Sequence, residues 1–274
     1  MLHNSILTHL WVLFLLIVIV LPLAAYFGWN SGRKAHFSRR YDTDPPASYP
    51  GEASMGAILA LLGLLLAFTF GYSLTRAEAR KVTQLEEAAA IGTAFLRADH
   101  LSEPGRSALR TALHAYAGTR IVDESMLRVG GFEKFIERTT AAQALLWPTM
   151  IEALDEDTPP ALIALVSNGI TEVLDAHTRR LIAGTDYVPG IAKGMMLFCS
   201  AVALFFVGNN AGLRGRPLTW RTVIFAGVLS VVMLFILDFE KPLEGSIRLD
   251  TTVIKMTVDE MAASLADDSN TFNK

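Results

Sequence analysis

Apolar positions along the chain are gathered into a few long runs. A hydrocarbon core of about 30 Å takes about 20 such residues in a helix rising 1.5 Å per residue. Four runs reach or approach that length. Residues 7–27 and 55–74 carry no charge, residues 191–208 carry only Lys193 near the start, and residues 222–237 end at Asp238. Lys193 can snorkel to the interface on its long stem. No Lys or Arg precedes the first run and its apolar core is long for a secretory signal, so it reads as a retained membrane helix, with Pro22 a place to kink.

From about residue 75 to 189 the pattern turns to helical amphipathicity, with 12 Lys and Arg against 16 Asp and Glu. No Pro or Gly cluster interrupts residues 74–100, so the second membrane helix is expected to continue unbroken from 55 to 100, about 70 Å long. On it Val82, Leu85, Ala89, Gly92 and Leu96 recur at alternate spacings of three and four, the stripe of a helix that packs on another helix. A core-facing stripe and a seam between subunits both fit that spacing. Ser102-Glu103-Pro104 predicts a new helix with Ser102 as N-cap and Leu109, Leu113, Tyr116 and Ala117 buried. Gly130-Gly131 breaks the chain before a helix carrying Phe132, Phe135, Ile136 and Leu146, which Pro148 should kink or end. Thr158-Pro159 starts the last soluble helix, with the stripe Leu162, Val166, Ile170, Val173, His177 and Leu181.

The expected fold is therefore an all-α membrane protein with four transmembrane helices in two hairpins and a helical bundle inserted between them. Residues 1–74 form the first hairpin, 75–189 an antiparallel bundle of about four helices, 190–240 the second hairpin and 241–274 a C-terminal tail. Composition agrees: 51% of residues are hydrophobic and 19% charged, with mean hydropathy +0.36, where soluble domains carry about 25% charged residues. The single cysteine, Cys199, cannot pair within the chain. A net charge of -3 offers no attraction to nucleic acid; the expected partners are the lipid bilayer and further copies of the chain.

Sidedness follows from basic residues in the short loops. Arg33, Lys34, Arg39 and Arg40 lie between the first pair of helices and Arg214, Arg216 and Arg221 between the second. These seven place both short loops in the cytoplasm and the bundle outside, periplasmic or extracellular. Arg76, Arg80 and Lys81 pull the other way, but long segments translocate largely regardless of charge.

Catalytic chemistry finds no support. Asp155-Glu156-Asp157 lacks the spaced ligands and Gly turn of a calcium loop, and acidic residues before a helix suit its dipole. His100, His114 and His177 are scattered, with no HExxH, phosphate loop or GxSxG elbow, so neither an enzyme, a metal site nor a cofactor is expected. Gly56 and Gly63 read as helix-packing contacts. One charged group stands out. Asp175 and Arg179 can pair at i, i+4, and with Arg76, Arg80, Arg180 and Asp238 they are expected to form a single cluster at the membrane surface. Such a cluster either ties helix ends together or selects ions entering a pore.

Four ordered motifs carry a resemblance: Gly63 to Phe70 (GLLLAFTF), Glu86 to Asp99 (EEAAAIGTAFLRAD), Glu172 to Leu181 (EVLDAHTRRL), and Leu237 to Pro242 (LDFEKP) with Gly245 and Ile247-Arg248. From about residue 55 to 248 the chain resembles the bacterial membrane family called bestrophin-like domain. It departs mildly at Ala89, where the family carries Asn, and at Glu240-Lys241, where it carries Asp-Arg. The resemblance implies a protein of the bacterial inner membrane and kinship with anion channels that assemble as pentamers around a pore lined by the second membrane helix. It also implies a cytoplasmic large domain, opposite to what the loop charges predict. On that basis Phe68, Thr69, Phe70 and Ser73 are the pore candidates, and a Phe constriction can gate by dewetting. The alternative is a non-conducting membrane scaffold or sensor whose bundle binds a partner or ligand.

Overall fold

A computed structural model describes residues 2–39, 52–122, 131–239 and 251–272. Among them are eight helices and no strand: α1 (Leu2–Arg39), α2 (Glu52–Ala98), α3 (Gly105–Thr119), α4 (Gly131–Glu152), α5 (Pro160–Thr185), α6 (Gly190–Leu213), α7 (Trp220–Phe239) and α8 (Thr252–Phe272). The chain divides into two units. One takes Leu2–Thr75 and Tyr187–Lys241, the other Arg76–Asp186 and Pro242–Lys274. Residues 240–250, which include the Glu240-Lys241-Pro242, Gly245 and Ile247-Arg248 parts of the last motif, lie outside the described residues, as do Arg40 and Gly130.

The apolar unit holds α1, the first part of α2, α6 and α7. All four of its helices are long and apolar enough to cross a membrane. Its core joins Ile17, Leu21 and Ala25 to Leu62, Leu66, Met196, Leu204, Met233 and Ile236. The closest contact is α1 on α6, and four glycines allow it. Gly28 and Gly32 are spaced as GxxxG, and so are Gly208 and Gly212. A Cβ on Gly28 would stand 2.0 Å from the Phe205 carbonyl oxygen, and one on Gly208 would stand 2.0 Å from that of Ala25. No side chain fits there, so the backbones themselves meet. Gly56 and Gly63, expected as packing contacts, meet no other helix of the same chain: space for 4 Å around each is open. Those glycines share a helical phase, but it is a phase that touches nothing in the chain. Outward, Phe27, Phe198, Ile191, Val223 and Phe235 are more than half exposed, a surface suited to lipid and costly in water.

The second unit is a helical bundle. Ile91, Ala94, Phe95 and Ala98 of α2 meet Leu109, Leu113, Tyr116 and Ala117 of α3, with Leu146 and Met150 from α4 and Val166, Ile170 and Val173 from α5. The buried faces expected on α3 and α5 are observed, and on α4 Phe135 and Leu146 are buried; the Phe132 side chain is outside the described set. Pro148 sits within α4 without ending it. The segment read as a tail contains α8, whose Ile254 and Met261 are buried in this core and whose Val258 and Leu265 pack against it. Ser102 does not cap α3. Its hydroxyl is turned to Asp155, while the Glu103 carboxylate accepts the Ser107 backbone N–H at 3.3 Å.

On α2 the face turned into the bundle is Gln84, Glu87, Ala88, Ile91, Ala94 and Ala98. The stripe read from spacing lies elsewhere: Val82, Leu85 and Leu96 are 44%, 41% and 65% exposed, Ala89 is exposed and Gly92 is half-buried. Small residues let α5 approach this face, with a Cβ on Gly169 standing 3.4 Å from the Ala94 Cα, so the Ala-rich face is the buried one. Of the two readings of that stripe, packing into the chain's own core is excluded.

Candidate functional site

Glu87 is brought by α2 into the middle of the bundle with its side chain 0% exposed. Burial raises its pKa, but the charges of Arg120 and Arg180 outweigh that and hold the carboxyl below its usual range. Tyr116, one turn from the end of α3, donates its hydroxyl to Oε1 at 2.8 Å. Arg120, which closes α3, brings Nε to 2.8 Å from the same oxygen, with its N–H out of line for a hydrogen bond. Arg180 of α5 donates to Oε2. His177, one turn earlier on α5, has Nδ1 at 3.0 Å from the Tyr116 oxygen and 3.7 Å from Glu87 Oε1. Because the Tyr116 proton is committed to Glu87, the network assigns the His177 proton to Nδ1, which donates to Tyr116.

This hub sets its own protonation. Burial, then the Arg120 charge, pushes His177 down to about 4 against the pull of Glu87, so the imidazole is neutral at pH 7. Burial and the neighbouring Glu87 raise Tyr116. Two guanidinium groups thus face a single carboxylate, and the hub holds a net charge of +1 in low dielectric. Arg120 also stands over the Phe135 ring, 5.7 Å from its centroid. A second buried arginine, Arg110 of α3, lies 2.8 Å from Asp99, donates to Asp268 and, at 2.5 Å, to Ser264 of α8, and covers the Phe95 ring at 4.3 Å.

The residues expected to form a single charged cluster take different partners. Arg180 belongs to the hub. Arg179, one residue on, points outward to Glu172 at 3.0 Å and Glu86 at 3.6 Å, where an i, i+4 pair with Asp175 was expected. Arg76 pairs with Asp186 at the far end of α5. Arg80 is buried on α2, and Asp238 lies near the end of α7. Asp155 caps a turn, its N–H donating to the Thr158 hydroxyl at 2.9 Å.

The four pore candidates do not share a face of α2. Thr69 and Ser73 are 7% and 1% exposed, inside the chain, with the Thr69 hydroxyl bonded back to the Leu65 carbonyl at 2.7 Å. Phe70 packs edge-on against Phe239, ring centroids 5.6 Å apart. Phe68 is 70% exposed. It falls in register with Leu61, Leu64, Gly71 and Thr75, all exposed and alternately three and four residues apart, and the same count continues through Glu78, Val82, Leu85, Ala89, Gly92 and Leu96. One register of α2 is thus open from Leu61 to Leu96, with only Gly92 half covered.

The model of the family described as "Bestrophin-like domain" matches residues 52–254. No curated protein is matched. Among solved structures, a variant of a bacterial bestrophin homologue from Klebsiella pneumoniae is similar at TM-score 0.61 and 14% identity, covering 92% of this chain and 98% of that one. A second variant of that homologue gives TM-score 0.59 at 14% identity, with the same coverage of 92% and 98%. A structure described only as a membrane protein gives TM-score 0.60 at 13% identity, covering 92% and 97%. At such identities the likeness shows the fold.

Proposed function

We propose, from the premise that the chain belongs to the bestrophin-like domain family, that copies of it assemble in the membrane around the open register of α2 and conduct ions along that axis. The observation that carries this reading is the register itself. Val82, Leu85 and Leu96 are apolar and exposed, and so are Leu61, Leu64 and Phe68. A helix that leaves such a stripe uncovered for most of its length is built to meet copies of itself. Within that axis Phe68 is the constriction, since its ring is the large side chain of the register that nothing in the chain covers, and Phe narrowings gate by dewetting. Thr69 and Ser73 support the helix from behind. Kinship with bestrophins implies five copies and ionic cargo.

In this reading the four apolar helices run in chain order as two hairpins, α1–α2 and α6–α7, with α1 packed on α6 across them, and the bundle is inserted between them. Its sidedness has two sources that oppose each other: the seven basic residues of the short loops favour a bundle outside the cell, and kinship favours one inside. Cysteines introduced near Gly118 and Leu213 in intact cells separate them. Labelling near Gly118 alone is the outcome that the loop charges predict, and labelling near Leu213 alone reverses it.

The function itself is tested on purified protein in liposomes. Expected are a particle several times the mass of one chain, flux of chloride or potassium, and a changed conductance in Phe68→Ala. An intact ring that passes neither ion, with or without Phe68, would replace the channel by a membrane scaffold.

A further inference from the structure

The α1 end of the apolar unit meets the turn between α6 and α7, and two contacts hold them. Trp29 Nε1 donates to the Arg216 carbonyl at 2.9 Å, and His36 Nδ1 lies 3.0 Å from the Leu213 carbonyl. Gly215 turns the chain at φ +66, where a Cβ would stand 3.1 Å from the His36 ring. The turn is closed by its own backbone, with the Arg216 N–H donating to the Ala211 carbonyl at 3.0 Å. The backbone of Arg33 thus lies against Gly212, close to the turn that carries Arg214 and Arg216, and Arg221 is the second residue of α7. The Arg33 guanidinium lies over the Trp29 indole, 4.6 Å from its centroid, so its position is set by the same tryptophan that holds the turn. No Asp or Glu occurs in α1 or from Gly190 to Leu237, and Asp42 and Asp44 follow α1 in the sequence. Apolar surface flanks this basic group directly: Phe27, Phe37, Val223 and Ile224 are 59%, 52%, 66% and 54% exposed, and Trp220 is 69% exposed.

We infer that this clamp is a binding site for the headgroup of an anionic phospholipid. Arginine forks match a phosphodiester, exposed tryptophan sits at headgroup depth, and the adjoining apolar faces of α1 and α7 give the acyl chains a surface that a soluble polyanion would not use. A general excess of basic residues beside a membrane helix needs no fixed geometry. Here one residue, Trp29, carries the Arg33 guanidinium on its ring and holds the backbone of Arg216 by a hydrogen bond, so the two arginines leave neighbouring stretches of chain. The inference rests on the membrane reading of the chain and is independent of whether it conducts.

Protein in neutral detergent is titrated with phosphatidylglycerol, with phosphatidylcholine and with soluble glycerol phosphate, and bound lipid is counted by native mass spectrometry alongside the melting temperature. Phosphatidylglycerol is expected to bind and raise Tm, while the other two leave it unchanged. Each juxtamembrane cation contributes about five-fold to affinity for an anionic surface, so Arg33→Ala with Arg216→Ala is expected to weaken binding by about 25-fold. Trp29→Phe keeps a ring but loses the hydrogen bond and is expected to weaken it less. Lys193→Ala, at the other end of α6, keeps the affinity of the parent. Equal binding of phosphatidylcholine, parental affinity in the double variant, or competition by glycerol phosphate at the concentration of the lipid overturns the site. Recovery of the chain from cells without detergent would instead overturn the membrane reading beneath it.

Discussion

Glu87 is the side chain whose loss the bundle should tolerate least. Removing a partner from a buried ion pair typically costs about 3–5 kcal/mol because the remaining charges stay desolvated, and here two guanidinium groups would be left facing each other. Glu87→Gln is expected to lower Tm sharply, read by calorimetry of the detergent-solubilised protein. Acid acts on the same network through His177. Its pKa is about 4 in the fold against 6.5 for an ordinary histidine, so between those values the unfolded chain takes up a proton that the folded chain refuses. Stability is complete above pH 6.5, falls as pH drops toward 4, and levels off below, with an upper bound of about 3 kcal/mol. Glu87, with its lowered pKa, adds loss in the same direction at lower pH still. His177→Asn should flatten the upper part of that profile. Little of this hub was legible beforehand. His177 and Tyr116 were read as members of buried stripes and Arg180 as part of a surface cluster, because no spacing within one helix reveals that three helices bring these groups to one carboxylate. The available signal was Glu87 itself, a charge standing in the Ala-rich phase of Ala88, Ile91 and Ala94.

At the scale of elements, the apolar runs and the unbroken course of α2 were plain, since hydrocarbon thickness and the absence of Pro leave few alternatives. Phase was harder. Gly56 and Gly63 share a face and so do Gly28, Gly32, Gly208 and Gly212; only the backbone approach of α1 to α6 distinguishes the pair that packs nothing from the four that pack. Gly208→Ala is expected to destabilise the apolar unit by about 1–3 kcal/mol, since its Cβ would meet backbone that cannot step aside. Gly63→Ala should leave Tm within experimental error. α8 lies in the segment expected as a tail, although Ile254, Val258, Met261 and Leu265 repeat at helical spacing. Arg110 supplies its polar anchor through Asp268 and Ser264. Arg110→Ala is expected to free α8 to protease while the rest of the bundle resists, followed as a rate of C-terminal cleavage.

For the molecule as a whole, the open register of α2 converts an ambiguity of spacing into a choice. A stripe at alternate intervals of three and four is the same whether it faces a core or a neighbour, and a single chain decides between them only once its own core is seen to lie elsewhere. Leu85→Glu changes a side chain that the chain itself leaves 41% exposed, so the fold of one copy should survive. If copies meet along this register as proposed, a charge in place of the apolar Leu85 contact should weaken their assembly. The expected result by light scattering in detergent is a monomer with the helical content of the parent, and a variant that assembles normally would remove α2 from the axis.

The glycine contact between α1 and α6 also has a consequence in time. Its two halves, around Gly28 and Gly208, are separated by roughly 180 residues of chain, and at about 5–20 residues per second a ribosome takes roughly 10 to 40 s to make that interval. For that period α1 has no α6 to close on, and its bare backbone groove is open to lipid, to insertion factors or to another nascent copy. Ribosome-stalled chains ending at Thr185 should therefore crosslink through a probe at Gly28 to foreign partners, and chains ending at Leu265, long enough to carry α6 clear of the ribosomal exit tunnel, only to their own α6.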